Sequence, residues 1–106
     1  MAVENIEQEY LLLQQQLRNV VIQKEALKLQ IAEIDSALKE LEKCEEETVY
    51  KVVGNIMVKK KMDEAQKELM ELKDDSQIKI SSLEKIEKDL IEKIKEVESK
   101  LMGKGG

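Results

Sequence analysis

The sequence is short of the residues on which most globular cores and active sites depend. Its 106 residues include no proline, histidine, phenylalanine or tryptophan, and only two tyrosines and one cysteine. The scarcity of aromatic side chains argues against an ordinary globular core, in which such side chains are prominent. With no histidine, no cysteine pair and no nucleophile beside a plausible base, the sequence offers neither a catalytic constellation nor a metal site. We therefore expect neither an enzyme nor a cofactor.

The sequence also lacks segments typical of secreted or membrane proteins. Its first residues are acidic, where a signal peptide would be basic and then apolar. No apolar run approaches the roughly 20 residues of a membrane span. The net charge of −5 disfavours binding to nucleic acid or to an acidic membrane surface. A single cysteine, Cys44, permits no intrachain disulfide and fits a reducing compartment. These features favour a cytoplasmic protein and leave the role of Cys44 open.

Charged residues make up 39% of the sequence, and most of them are Lys and Glu, as in coiled-coil proteins. The spacing predicts a first helix over 5–43, which Asn5 would cap with Gln8 three residues later. Its apolar seam repeats in heptads, as in a left-handed coiled coil. The seam residues are Ile6, Tyr10, Leu13, Leu17, Val20, Leu27, Ile31, Ile34, Leu38 and Leu41. Lys24 fills the one gap. We favour a lysine stem along the seam with its amine in solvent, over a register-setting polar residue.

The only β-like stretch covers residues 48–60, where β-branched and aromatic residues surround Gly54 and Asn55. Glycine at the first loop position predicts a type II′ hairpin that pairs Val53 with Ile56. One face then carries Val49, Val53, Ile56 and Val58, and the other carries Tyr50, Val52 and Met57. Because a lone hairpin is marginal in water, we expect the missing strands to come from other subunits. The charge runs 45–47 and 59–61 at its base either attract each other or form a solvated rim.

A second helix is predicted over 64–102, with Asp63 and Gln66 as its capping signal, followed by a fraying tail at 103–106. Its seam residues are Ala65, Leu69, Leu72, Ser76, Ile80, Leu83, Ile86, Leu90, Ile94, Val97 and Leu101. Two helices of equal length joined by a hairpin can fold back as an antiparallel coil over the single domain 1–106. Facing residue numbers then sum to about 107, so Leu17 meets Leu90 and Ser76 weakens the seam opposite Ile31.

This layout resembles the β-type subunit of archaeal prefoldin. The resembling residues are the hairpin VYKVVGNIMV (49–58) and the first-helix run 16–43, which includes VIQK (21–24) and ALKELE (37–42). The resemblance implies two α-type and four β-type subunits, whose hairpins form intersubunit β-barrels from which coiled coils extend. It also implies ATP-independent capture of non-native proteins and their delivery to a group II chaperonin.

In that family, client proteins bind at the coil ends away from the barrels. Here those positions are Ile6, Tyr10, Leu11, Leu12, Leu13, Val97, Leu101 and Met102. The residues themselves support part of this, because Tyr10 to Leu13 are four consecutive apolar residues and a seam buries only two of them. We expect Leu11 and Leu12 to be exposed for clients, although packing on a neighbouring coil is an alternative. A structural coiled-coil adaptor without client binding is the other functional hypothesis.

Overall fold

The computed structural model describes the backbone of residues 2–105 and the side chains of residues 5–103. The elements are helix α1 (Ala2–Lys43), strands β1 (Thr48–Val53) and β2 (Ile56–Lys61), and helix α2 (Met62–Gly105). This order confirms the predicted mainly α class, with two long helices joined by one β-hairpin.

Both predicted helix starts are wrong. α1 begins at Ala2, so Asn5 lies inside the helix and does not cap it. Ala2 and Glu4, which precede Asn5, are good helix formers. α2 begins at Met62, directly after β2. The Met62 backbone N–H donates a 2.8 Å hydrogen bond to the Glu47 carbonyl, and the Asp63 carboxylate accepts only a 3.2 Å bond from the neighbouring Glu64 N–H. The start of α2 is therefore held by a backbone hydrogen bond at the hairpin base and not by a side-chain cap.

The predicted end of the second helix at 102 is also too early. The α2 backbone is helical through Gly105, and Gly106, the last residue of the predicted fraying tail, lies outside the described residues. Extending a helix that is already formed adds one hydrogen bond per residue without a new nucleation cost. A formed helix of this length can therefore carry Gly103 and Gly105 despite the low helix propensity of glycine.

The hairpin has the predicted pairing and turn. β1 and β2 are antiparallel, with Val53 opposite Ile56, Val52 opposite Met57 and Lys51 opposite Val58. Gly54 has a φ of +60°, and no other described residue has a positive φ. A type I′ turn needs positive φ at both central residues, whereas type II′ needs it only at the first. The turn is therefore of the II′ type.

The chain divides into two compact units. The coil unit comprises residues up to Ala26 and from Lys79 onward, and the hairpin unit comprises Leu27–Ile78. The core of the coil unit is formed by Leu13, Val20, Leu90, Ile94 and Val97, with Ile6, Tyr10, Leu17, Leu83 and Leu101 packed against it. Residues early in α1 thus pack against residues late in α2, as an antiparallel coil requires.

The hairpin unit keeps the same antiparallel pairing. Ile34 is buried, Gln30 contacts Ser76, and Asp35 pairs with Lys73 at 2.7 Å. The residue numbers of each of these two pairs sum to within one of the expected 107. Ser76 is only 2% exposed, and its hydroxyl donates to the Leu72 carbonyl at 2.9 Å. Ser76 therefore faces the other helix, as predicted.

The seam of α2 departs from the prediction at two positions. Leu72 and Ile86 are 41% and 47% exposed, so neither is buried between the helices. Between Leu83 and Leu90 a heptad allows either residue 86 or residue 87 to face the seam. In the structure Glu87 faces the seam, where it pairs with Lys24, and Ile86 faces outward.

Candidate functional site

The four consecutive apolar residues of α1 are divided between the seam and the surface. Leu13 is 8% exposed and Tyr10 is half-buried, whereas Leu11 and Leu12 are 64% and 54% exposed. Residues one apart on a helix are rotated by about 100°, so a single seam cannot bury all four. The predicted exposure of Leu11 and Leu12 is confirmed.

The other predicted tip residues also fall into two groups. Met102 is 78% exposed, and Ile6 and Leu101 are half-buried against the core of the coil unit. Val97 is only 3% exposed, and it lies with Leu13 inside that core. Leu13 and Val97 are thus core residues of the coil in the single chain, and their predicted contact with clients stays a prediction.

The coil unit also contains a groove that the sequence did not predict. Its volume is about 450 Å³, and its lining residues include Tyr10, Leu17, Val21, Ile22 and Ile94. The Tyr10 hydroxyl accepts a 2.9 Å hydrogen bond from the Gln14 side-chain amide. Ile22 is 59% exposed. The sequence contains a signal for this groove, because residues 20–22 are three consecutive apolar residues and only the first of them lies in the seam.

The hairpin exposes apolar side chains on both faces. Exposure ranges from 40% at Val58 to 68% at Val52, and the full set is Tyr50, Val52, Val53, Ile56, Met57 and Val58. Val49 is half-buried. The described residues form a single two-stranded sheet, so each strand has one edge without a strand partner. The hairpin thus presents an apolar, unpaired surface, as expected for a segment that pairs outside its own chain.

One carboxylate connects the hairpin to α2. The Glu68 side chain forms an ion pair with Lys60 of β2, and its other oxygen lies 3.8 Å from Lys51 Nζ of β1. The hydrogen bond from Lys60 lowers the pKa of Glu68, and the charges of Lys60 and Lys51 add to that effect. Within the described part of the chain, runs 45–47 and 59–61 form no ion pair with each other. Lys60 pairs with Glu68 instead, so it is not part of a solvated rim.

The seam of the coil unit contains a second ion pair. Lys24 Nζ donates a 2.7 Å hydrogen bond to Glu87 Oε1, and these side chains are 12% and 22% exposed. The amine is therefore paired and largely covered, so the favoured interpretation of Lys24 as a stem with its amine in solvent is wrong. The hydrogen bond to Glu87 raises the pKa of Lys24 against its partial burial, and the charges of Glu87, Glu84 and Glu25 raise it further.

The described residues contain neither a metal cluster nor a membrane-spanning helix. No group of three or more Cys, Asp or Glu side chains among them is placed to hold a metal ion. Neither α1 nor α2, over its described residues, contains a stretch apolar enough to cross a membrane.

Comparisons with known proteins agree with this arrangement. A family model described as prefoldin subunit matches residues 4–106. The chain is 40% identical over 100 residues to a prefoldin subunit beta of Archaeoglobus fulgidus, covering 93% of this chain and 86% of that relative. It is 43% identical over 89 residues to one from Thermococcus onnurineus, covering 83% and 77%. The crystal structure of the prefoldin beta subunit from Thermococcus strain KS-1 superposes with a TM-score of 0.84 at 35% identity, covering 96% of this chain and 90% of that one.

Proposed function

This chain belongs to the prefoldin subunit family, and on that premise we propose that it is the β-type subunit of a hexameric molecular chaperone. In this proposal the chaperone binds non-native proteins without ATP and passes them to a group II chaperonin in the cytoplasm. Its partners are α-type prefoldin subunits and further copies of the same chain, held together through the hairpins.

The observation that carries the proposal is the exposure of Leu11 and Leu12, at 64% and 54%. The seam does not need either side chain, since Tyr10 and Leu13 already supply it. Adjacent exposed leucines are a surface on which an unfolded chain can bury its own apolar side chains, at about 25 cal/mol per Å² buried. Met102 on α2 adds an unbranched, flexible side chain of the kind found on surfaces that accept many partners.

Assembly of several subunits increases the apolar area available to one client. A single pair of leucines offers little area, but several coils that act on one client raise the overall affinity well beyond that of one coil. The exposed apolar residues of the hairpin, from Val52 to Val58, are the natural contacts for such assembly. Strand pairing between hairpins would also satisfy the backbone groups that a two-stranded sheet leaves unpaired.

The test is suppression of aggregation of a chemically unfolded protein by the assembled oligomer with no nucleotide present. We expect suppression, together with cross-linking of the client to a photoreactive benzophenone residue at position 12 and much less at position 29. Leu29 is the matched control, because it is 62% exposed but belongs to the hairpin unit. A correctly assembled oligomer that does not suppress aggregation would instead support a structural coiled-coil adaptor.

A further inference from the structure

One layer of the seam in the coil unit is polar. Lys24 of α1 and Glu87 of α2 face each other there, and their side chains are only 12% and 22% exposed. The seam residues around them are apolar, since Val20 and Leu90 are buried and Leu83 is half-buried. An ion pair at such a position loses much of its hydration, and apolar residues of similar volume are often equally or more stabilising.

An apolar alternative to Glu87 is its neighbour in the sequence. Ile86 is separated from Glu87 by about 100° around α2, and the heptad step from Leu83 to Leu90 allows either residue to face the seam. Ile86 is nevertheless 47% exposed. The hydrophobic effect alone favours a seam that buries the isoleucine and leaves the carboxylate in water. The observed packing is therefore the one that apolar burial disfavours.

The interaction that favours the observed packing is the one with Lys24. Glu87 Oε1 accepts a 2.7 Å hydrogen bond from Lys24 Nζ, and a hydrogen bond between two charged groups is stronger than one between neutral groups. Turning Ile86 into the seam would turn Glu87 out of it and separate the two charges. The choice between the two packings is thus a choice between burying Ile86 and keeping this pair.

We propose that the Lys24–Glu87 ion pair sets the rotation of α2 about its own axis in the coil unit and so keeps Ile86 on the surface. The pair selects one of two packings that the apolar spacing leaves open, which is the best-attested role of a polar layer in a coiled coil. Without it the coil adopts the second packing, with Ile86 in the seam. This role lies within one coil and is independent of client binding.

The first test follows the isoleucine δ1 methyl groups of the full chain by NMR, with a soluble gadolinium chelate that enhances the relaxation of exposed methyls. Ile22 and Ile94 are the references, because they are 59% and 8% exposed in the coil unit. In the wild type we expect the enhancement at Ile86 to be close to that at Ile22. In Lys24→Leu, where Glu87 has lost its partner, we expect it to fall to near that at Ile94.

The matched control for Lys24→Leu is Lys73→Leu. It removes another lysine that pairs with a carboxylate of the other helix at 2.7 Å, the Lys73–Asp35 pair of the hairpin unit. We expect the enhancement at Ile86 to stay at its wild-type value in this variant. Equal enhancement at Ile86 in Lys24→Leu and in the wild type would overturn the inference. An equal fall in Lys24→Leu and Lys73→Leu would also overturn it.

The second test does not use the Lys24→Leu chain. Glu87→Lys places two ammonium groups opposite each other, whereas the exchange Lys24→Glu/Glu87→Lys restores an ion pair, and both keep good helix formers. We expect Ile86 to be protected from the chelate in Glu87→Lys and exposed again in the exchanged chain. Helical circular dichroism checks that both chains fold. Equal exposure of Ile86 in the two chains would show that pairing does not set the rotation of α2.

Discussion

Lys24 and Glu87 form an ion pair inside the seam of the coil unit, with Nζ 2.7 Å from Oε1 and most of both side chains covered. Removing one partner leaves a poorly solvated charge in the seam, whereas replacing both by apolar residues removes the need for pairing. We expect Lys24→Ala and Glu87→Ala each to lower Tm, and Lys24→Leu/Glu87→Leu to match or exceed the wild type. Thermal unfolding followed by circular dichroism measures this. If the single variants leave Tm unchanged, the pair has no role in stability.

The same pair makes stability sensitive to alkaline pH. The folded-state pKa of Lys24 is raised above its ordinary value of 10.5, so its stabilising effect is complete below that value and is lost as the pH rises through the folded-state pKa. Glu87→Gln removes the charge that Lys24 faces. We expect the Tm of the wild type to fall more steeply than that of Glu87→Gln between about pH 9 and pH 12. Parallel curves would contradict this linkage.

The hairpin turn depends on the backbone of Gly54 and not on space around it. Gly54 has a φ of +60°, and a Cβ added there would meet nothing within 4 Å. We expect Gly54→Ala to destabilise the hairpin by about 1–2 kcal/mol, the usual cost of left-handed backbone for an L-residue. Gly103→Ala is the control, since its added Cβ also has open space but lies in a helix. Urea unfolding measures both, and equal effects would argue against a conformational cause.

Ser76 is a buried polar residue whose replacement tests how tightly the seam is packed. At 2% exposure it leaves little room for a larger side chain. We therefore expect Ser76→Leu to destabilise by about 1–3 kcal/mol through overpacking, although the sequence alone suggests that leucine would repair a weak heptad position. Ser76→Ala should change stability by less than about 1 kcal/mol, because the hydroxyl bonds chiefly within its own helix. A more stable Ser76→Leu chain would contradict the packing.

Sequence periodicity predicted the parts of the fold that repeat and missed those that depend on a single rotation or contact. The heptads of α1 followed from a spacing that repeats over several residues. The antiparallel pairing followed from two helices of equal length, and the hairpin pairing from Gly54 at the first loop position. Whether Ile86 or Glu87 faces the seam depends on a small rotation of α2, which the spacing of apolar residues does not define. The start of α2 at Met62 depends on a backbone bond to Glu47, which no capping pattern records.

Some features of the candidate site could also be predicted from the sequence, and others could not. The exposure of Leu11 and Leu12 could be predicted because four consecutive apolar residues exceed what one seam can bury. The burial of Leu13 and Val97 followed from the same seam, but family resemblance grouped them with contact residues. The contacts of Glu68 with Lys51 and Lys60 could not be predicted, since they depend on how the hairpin sits on α2 within the hairpin unit.

Leu11 and Leu12 are the proposed client-binding residues, and the Kd of a fluorescently labelled unfolded protein for the assembled oligomer tests this role directly. The test variant is Leu11→Ser/Leu12→Ser, and the control is Leu29→Ser/Ile78→Ser, which removes side chains that are 62% and 66% exposed in the hairpin unit. In the proposed assembly several coils bind one client, so we expect the test variant to raise Kd by about tenfold or more at unchanged oligomer mass. We expect the control to leave Kd near the wild-type value. An unchanged Kd for a correctly assembled Leu11→Ser/Leu12→Ser oligomer would contradict the claim.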